Sequence, residues 1–334
     1  FQEEKYNELP YARQIAGIFN TDHHEMIVEP ESIDILPTIL NGFDEPFSDA
    51  SAIPTYFLSK FTKEYVTVAL SGDGGDELFA GYNTYPRLLN FHNFNIMPEK
   101  FNKIFWGSID KIYPNNIFGK GFINRMSHNK NSIGSYFSTK IKQSERCKYY
   151  NPNLSYDMNN YCAEQYKMDI LEKMETKDFL SRMQKLDMKT YMVDDILTKV
   201  DRMSMLNSLE VRVPILDHKF AELSYQIPSK MKLKKNIQKY IFKETLKKYL
   251  PKNILHRKKQ GFSVPLELWF KEDLREYMND KLMSSNSKIH TILNPYQIKK
   301  LVESNKFALR SQHREIWTIL VLDHWLDLNR CELP

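Results

Sequence analysis

Between residues 4 and 19, Leu9, Ala12, Ile15, Ala16 and Phe19 recur at helical spacing, so "EKYNELPYARQIAGIF" predicts a helix with one apolar face. "HHEMIVE" (23–29) predicts a short strand before a turn at Pro30, and a second helical pattern covers about 31–43. "DEPFSDASAIPTYFLSKFTKEY" (44–65) opens as a polar, proline-punctuated loop and turns helical from about Thr55. "VTVAL" (66–70) is β-branched and closed by a glycine turn, which predicts a buried parallel strand. Strands alternating with helices imply an α/β layer with right-handed crossovers.

From about residue 86 the pattern changes. Residues 86–185 are rich in Asn, Lys, Tyr and Phe, with several helical patterns and no clear strand, and "SHNKNSIGS" (127–135) reads as an exposed loop. Residues 178–334 are mainly helical, broken at Pro214, Pro251, Pro265 and Pro295. The apolar run "IWTILVLDHWL" (316–326) contains Asp323 and is far shorter than the roughly 20 residues of a membrane span, so it predicts a buried C-terminal helix. The domain reading is one unit over 1–334: an α/β part (1–85), a helical insertion (86–185) and a helical part (186–334).

Composition changes this picture little. The 334 residues are 42% hydrophobic, enough for a sizeable core, and the net charge of +5 is a small excess of 47 basic over 42 acidic residues. The charges are scattered, which calls for neither a nucleic-acid nor a membrane partner. The run "KMKLKKNIQKY" (230–240) interleaves lysine with apolar residues and predicts a solvated helix face. Cys147, Cys162 and Cys331 are odd in number and far apart, which suggests a reducing, cytoplasmic setting and no zinc site. His23 and His24 are adjacent, so a strand would send them to opposite faces, one to the core and one to solvent.

The chemistry-bearing stretches are three. "SGDGGDE" (71–77) puts Asp73, Asp76 and Glu77 among Gly72, Gly74 and Gly75 at the end of the predicted strand. It is neither a dinucleotide fingerprint nor a Walker loop. A glycine turn can present N–H groups to an anion, and acids beside phosphate require a cation, for which Mg²⁺ is the natural choice. A capped acidic helix start explains the same residues without a ligand. "YMVDDILTKVDRMSMLNSLEVRVPILD" (191–217) carries Asp194 and Asp201 on one face, an i,i+4 pair Asp195–Lys199, and Glu210 beside Arg212. "LHRKKQGFSVP" (255–265) places Arg257, Lys258 and Lys259 before Gly261, a basic loop suited to a pyrophosphate leaving group and equally readable as solvated.

Together with "YARQIAG", "DHHE" and "HREIWTILVLDHWL", these stretches resemble the synthetase domain of glutamine-dependent asparagine synthetases. The resemblance runs from residue 6 to about 326. It implies a truncated parallel sheet of the adenine nucleotide α-hydrolase-like type, with a large mainly helical remainder. It also implies ATP-dependent conversion of a carboxylate to an amide through an acyl-adenylate, as in asparagine biosynthesis, with ATP and Mg²⁺ required. On this resemblance Lys259 is the catalytic lysine, Asp73 and Asp195 join it in catalysis, and Ser71, Gly72 and Asp73 bind nucleotide. Asp73, Asp76 and Glu77 hold the metal.

The resemblance carries two departures. The family's Ser-Gly-Gly-x-Asp-Ser pyrophosphate loop and its N-terminal glutaminase domain lie upstream of the segment matching Phe1, so the chain is expected to be a fragment, inactive alone, with an unpaired strand edge. Ammonia would come from that missing glutaminase domain. Secondly, Ala50 stands at about the place of an arginine that grips the substrate's α-carboxylate, which leaves the acceptor open between aspartate, a sugar acid and a peptide carboxylate. A non-catalytic remnant and a nucleotide-holding regulator are the competing readings. Homodimer assembly is left open.

Overall fold

The computed structural model describes residues 6–94, 99–113, 123, 126, 141, 143–152, 154, 162–257, 261–262, 264–272, 274–305 and 312–329. Helix α1 (Leu9–Phe19) opens on a proline in its first turn and stops at Asn20, whose left-handed backbone (φ 49°) returns its N–H to the Ala16 carbonyl. The expected strand over 23–29 is not formed. That segment is irregular, and both histidines lie towards solvent: His23 bonds Glu25 and the His24 ring lies tilted against Tyr65, centroids 4.0 Å apart. With no ladder to alternate along, neither ring is sent inward.

A 3₁₀ turn (Pro30–Ile35) leads into α2 (Leu36–Asn41), and α3 (Ala52–Lys63) starts a few residues before Thr55. Strand β1 (Val68–Leu70) pairs in parallel with β2 (Glu210–Arg212), in the register Val68↔Glu210, Ala69↔Val211, Leu70↔Arg212. This two-stranded sheet is the sheet of the described residues, and the rest is mainly helical. The strand is parallel as expected but not buried. Val68 is 41% and Leu70 73% exposed, because β1 has one strand neighbour and no described layer over these side chains.

Past β1 come the short α4 (Gly75–Leu78) and α5 (Thr84–Phe94). Helix α6 (Ala163–Glu172) and α7 (Phe179–Lys189) follow, and Asp178 caps α7 by accepting from the Ser181 N–H at 2.8 Å. Residues Tyr191–Leu197 wind as a π-helix that runs straight into α8 (Thr198–Met205). The lysine-rich run then departs from the expected solvated helix. After α9 (Ser229–Lys232) it folds as a tight turn with Lys235, Asn236 and Lys239 at positive φ, before α10 (Tyr240–Leu246). Lys232 is buried, its ammonium over the Tyr225 ring, and Lys239 points to the glycine turn.

Two apolar clusters hold these parts. In the larger, α2 and the start of α3 pack on α11 (Leu266–Trp269), α12 (Arg275–Met283), α13 (Ile289–Ile292), α14 (Pro295–Asn305) and α15 (His313–Leu328). Helix α15 is buried as its sequence predicts, with Ile316, Trp317, Leu320 and Val321 inside. Asp323 is tolerated there because it accepts from Ser287 Oγ at 2.7 Å and from the Ile289 N–H at 3.1 Å. In the smaller cluster Tyr85, Leu88 and Phe91 of α5 meet Leu171, Leu180, Met183 and Leu186. Each cluster joins segments far apart in the chain. Among the described residues no helix is long and apolar enough to cross a membrane.

Candidate active site

The parallel ladder runs one bond past β1, from the Ser71 N–H to the Arg212 carbonyl at 2.9 Å, and the glycine turn begins there. Gly74 has φ +86°, and a Cβ on it would lie 2.3 Å from Leu216 Cδ2, so both backbone and space demand glycine. The turn delivers α4 with Gly74 and Gly75 buried, Gly72 exposed and Asp73 half-buried. Ser71 Oγ donates to Asp73, whose N–H returns to Ser71 Oγ at 3.3 Å.

The three acids of the turn meet three different fates. Asp73 is half-buried and accepts from Ser71 Oγ. Asp76 forms an ion pair with Lys239 Nζ at 3.0 Å, both side chains mostly shielded. Gly81 makes this pair possible: a Cβ there would lie 1.9 Å from Asp76 Oδ1 and 2.3 Å from Lys239 Cε. Glu77 faces the core at 1% exposure, accepts from the Tyr82 hydroxyl, and gives its main-chain carbonyl to Gln184. Burial, ahead of every other cause, pushes the Glu77 carboxyl up. Of the expected metal ligands, Glu77 is thus sealed in the core while Asp73 and Asp76 stay partly exposed. Among the described residues no group of three or more His, Cys, Asp or Glu gathers for a metal.

The polar loop 44–51 meets the helix of the second motif. Lys199, buried at 9% exposure, bonds Asp49 Oδ2 at 2.7 Å and Ser51 Oγ at 2.8 Å, and lies 3.9 Å from Asp195 Oδ1. Three residues on, Arg202 reaches Asp44 at 2.5 Å. Trp317 of α15 donates to the Ser48 carbonyl at 3.0 Å, which pins the loop from its other side. The expected Asp195–Lys199 contact is therefore the weaker part of a clamp whose main partner, Asp49, is 150 positions away.

Lys259 lies outside the described residues, as do Lys258 and Cys331. The root of the basic loop is described. Arg257 pairs with Glu8 at 2.6 Å and sits 5.0 Å from the Tyr11 ring centroid, while Gln14 and Asn253 exchange side-chain bonds. Helix α1 thus buttresses the start of that loop.

Sequence reasoning missed Lys239 and the Asp49–Lys199 clamp. The clue for Lys239 lay within "KNIQKY": the asparagine favours a turn over a continuing helix face. Nothing local could have paired Lys199 with Asp49.

Comparison with known proteins adds the family. The family model "Asparagine synthase" matches residues 1–327. The chain is 32% identical over 334 residues to asparagine synthetase [glutamine-hydrolyzing] 1 of Bacillus subtilis, covering 98% of this chain and 51% of that protein. It is 27% identical over 331 residues to a putative asparagine synthetase of Mycobacterium bovis (97% and 49%), and 28% identical over 308 residues to the rat asparagine synthetase (88% and 39%). The chain spans about half the length, or less, of these curated relatives. With its glycine turn, its acidic loop and its second-motif helix inside one family match that runs nearly end to end, the chain belongs to the asparagine synthase family.

Proposed function

We propose that this chain is the synthetase part of an ATP-dependent amide-forming ligase on an adenine nucleotide α-hydrolase-like fold, divided as 1–85, 86–185 and 186–334. The observation that carries the reading is the Asp76–Lys239 pair beside Asp73, at the carboxyl end of a parallel strand, where α/β sheets take their ligands. An oxygen of the acceptor carboxylate attacks the α-phosphorus of ATP, and the bond to pyrophosphate breaks. Ammonia then attacks the acyl-adenylate carbonyl, the bond to AMP breaks, and the amide is left. Lys239 supplies positive charge at the turn, Ser71 and Gly72 offer a hydroxyl and an N–H to the nucleotide, and Lys259 grips the α-phosphate and the departing pyrophosphate. Asp73 and Asp76 present hard oxygen donors, which suit Mg²⁺; bound there, the ion would offset the polyphosphate charge.

Asp195 orients the acceptor or the ammonia, which a glutaminase domain of the complete protein would release from glutamine. Aspartate is one acceptor class. A sugar acid or peptide carboxylate is favoured by a specific feature: among the described residues, Lys199 and Arg202 reach loop 44–51, and each is engaged by an acid of that loop.

The test uses protein expressed from the complete reading frame containing this chain, with ATP, Mg²⁺, an ammonium salt and single acids. AMP and pyrophosphate appear together with an amide of the expected mass. Lys259→Ala suppresses both while the thermal melt stays in place. Absence of pyrophosphate with every acid ends the ligase reading, and full turnover in Lys259→Ala removes that lysine from it.

A further inference from the structure

Tyr191, Asp195 and Lys199 recur every four residues and form one stripe along the π-helix and α8. At one end Lys199 grips Asp49 and Ser51 of the acidic loop. At the other the Tyr191 ring meets the Tyr82 ring edge-on, centroids 5.9 Å apart, and Tyr82 bonds Glu77 directly behind the glycine turn. The stripe therefore spans from the loop to the turn, with Asp195 between. The winding that carries it is irregular and held by side chains: Thr190 donates to the Leu186 carbonyl at 2.8 Å, and Thr198 to the Val193 carbonyl at 2.7 Å. A π-helix is rare and concentrates at functional sites, because it re-aims side chains at the expense of regular bonding.

Charge gives the stripe its chemistry. Burial above all, then the charges of Asp195, Asp49, Glu77 and Asp187, pushes the Tyr191 phenol far up, so it stays a neutral donor. A carboxylate substrate entering among those acids would be repelled unless a donor met it. Lys199 and Arg202 are committed to Asp49 and Asp44. We propose that Tyr191 is a substrate-contacting residue of the acceptor site, its hydroxyl donating to an oxygen of the acceptor's carboxylate on the ledge between the Lys199 clamp and the glycine turn. This rests on the ligase reading above.

The experiment compares wild type with Tyr191→Phe in the complete protein. Pyrophosphate release is followed with aspartate, glucuronate and the dipeptide Ala-Glu, each as sole acid. Phenylalanine keeps the ring on Tyr82 and removes one hydroxyl. The kcat/KM for the accepted acid falls about tenfold to hundredfold, the scale of one hydrogen bond to a charged group. The KM for ATP and the melting temperature stay put. Unchanged kcat/KM for the acid overturns the inference while leaving the ligase reading intact. So does a loss in which the ATP KM and the melting temperature move with it, since that pattern is structural. A wild type silent with all three acids instead overturns the ligase reading, and the inference falls with it.

Discussion

Asp76 and Glu77 are neighbours in the chain, yet one is held at the mouth of the glycine turn by Lys239 and the other is sealed inside by Tyr82. Their separation depends on the helical turn of α4, which sends adjacent side chains about 100° apart. Gly81 is the residue on which the Asp76 side depends. Gly81→Ala inserts a methyl where Asp76 Oδ1 and Lys239 Cε already sit, so the ion pair must open. The expected outcome is a loss of about 1–3 kcal/mol in urea unfolding, the usual scale of overpacking, together with weakened nucleotide binding by titration. An unchanged midpoint and unchanged nucleotide affinity would show that the pair can shift freely. In the sequence, the crowding of acids and glycines marked the turn as a candidate site; which acid faced which way was not legible, because it depends on Tyr82, Gln184 and Lys239 arriving from elsewhere.

At the scale of elements, α7 binds α5 through a polar contact inside the smaller apolar cluster. The Tyr85 hydroxyl donates to Asp187 Oδ2 at 2.6 Å. Burial is the main cause that lifts the Asp187 carboxyl to about 6 from an ordinary 3.8, outweighing the Tyr85 bond that lowers it. An acid whose folded pKa is raised favours the fold while protonated. Its contribution is complete below about pH 4 and is lost as pH rises through about 6. Asp187→Asn keeps an acceptor for Tyr85 and cannot ionise. Its unfolding free energy therefore gains on wild type between pH 4 and 6.5, by roughly 2–3 kcal/mol, measured by urea unfolding across that range. A constant difference across the range would mean that Asp187 titrates normally. The helical periods of α1, α3, α8 and α15 were readable from spacing. The π-helix was not, since Tyr191–Leu197 shows the same apolar spacing as an ordinary helix, and its packing against α7 comes only with the tertiary fold.

Over the whole molecule, the larger cluster ties residues 33–56 to 264–326, and the smaller ties 80–91 to 171–186. Among the described residues strand β1 pairs on one side and shows Val68 and Leu70 to solvent, a β-branched and a γ-branched apolar residue on a short edge. Such an edge templates pairing with other chains. The 334-residue chain by itself is expected to self-associate at micromolar concentration, and Leu70→Lys to reduce that association, read by light scattering of matched samples. Equal scattering from both proteins would locate the sticky surface elsewhere. The sequence reading expected the unpaired edge, though it expected the strand itself to be buried.

Local chemistry settled what could be read in one dimension. A helix face, a glycine turn, a run of acids and a buried C-terminal segment each follow from spacing and backbone preference within a dozen residues, and they were legible as such. Partnership was not. Lys239 reached Asp76, Lys199 reached Asp49, and Tyr191 came against Tyr82, because burying apolar faces of distant helices brings their polar residues together as a consequence. A side chain's charge is written in the chain, but the neighbour that decides its role is chosen by packing.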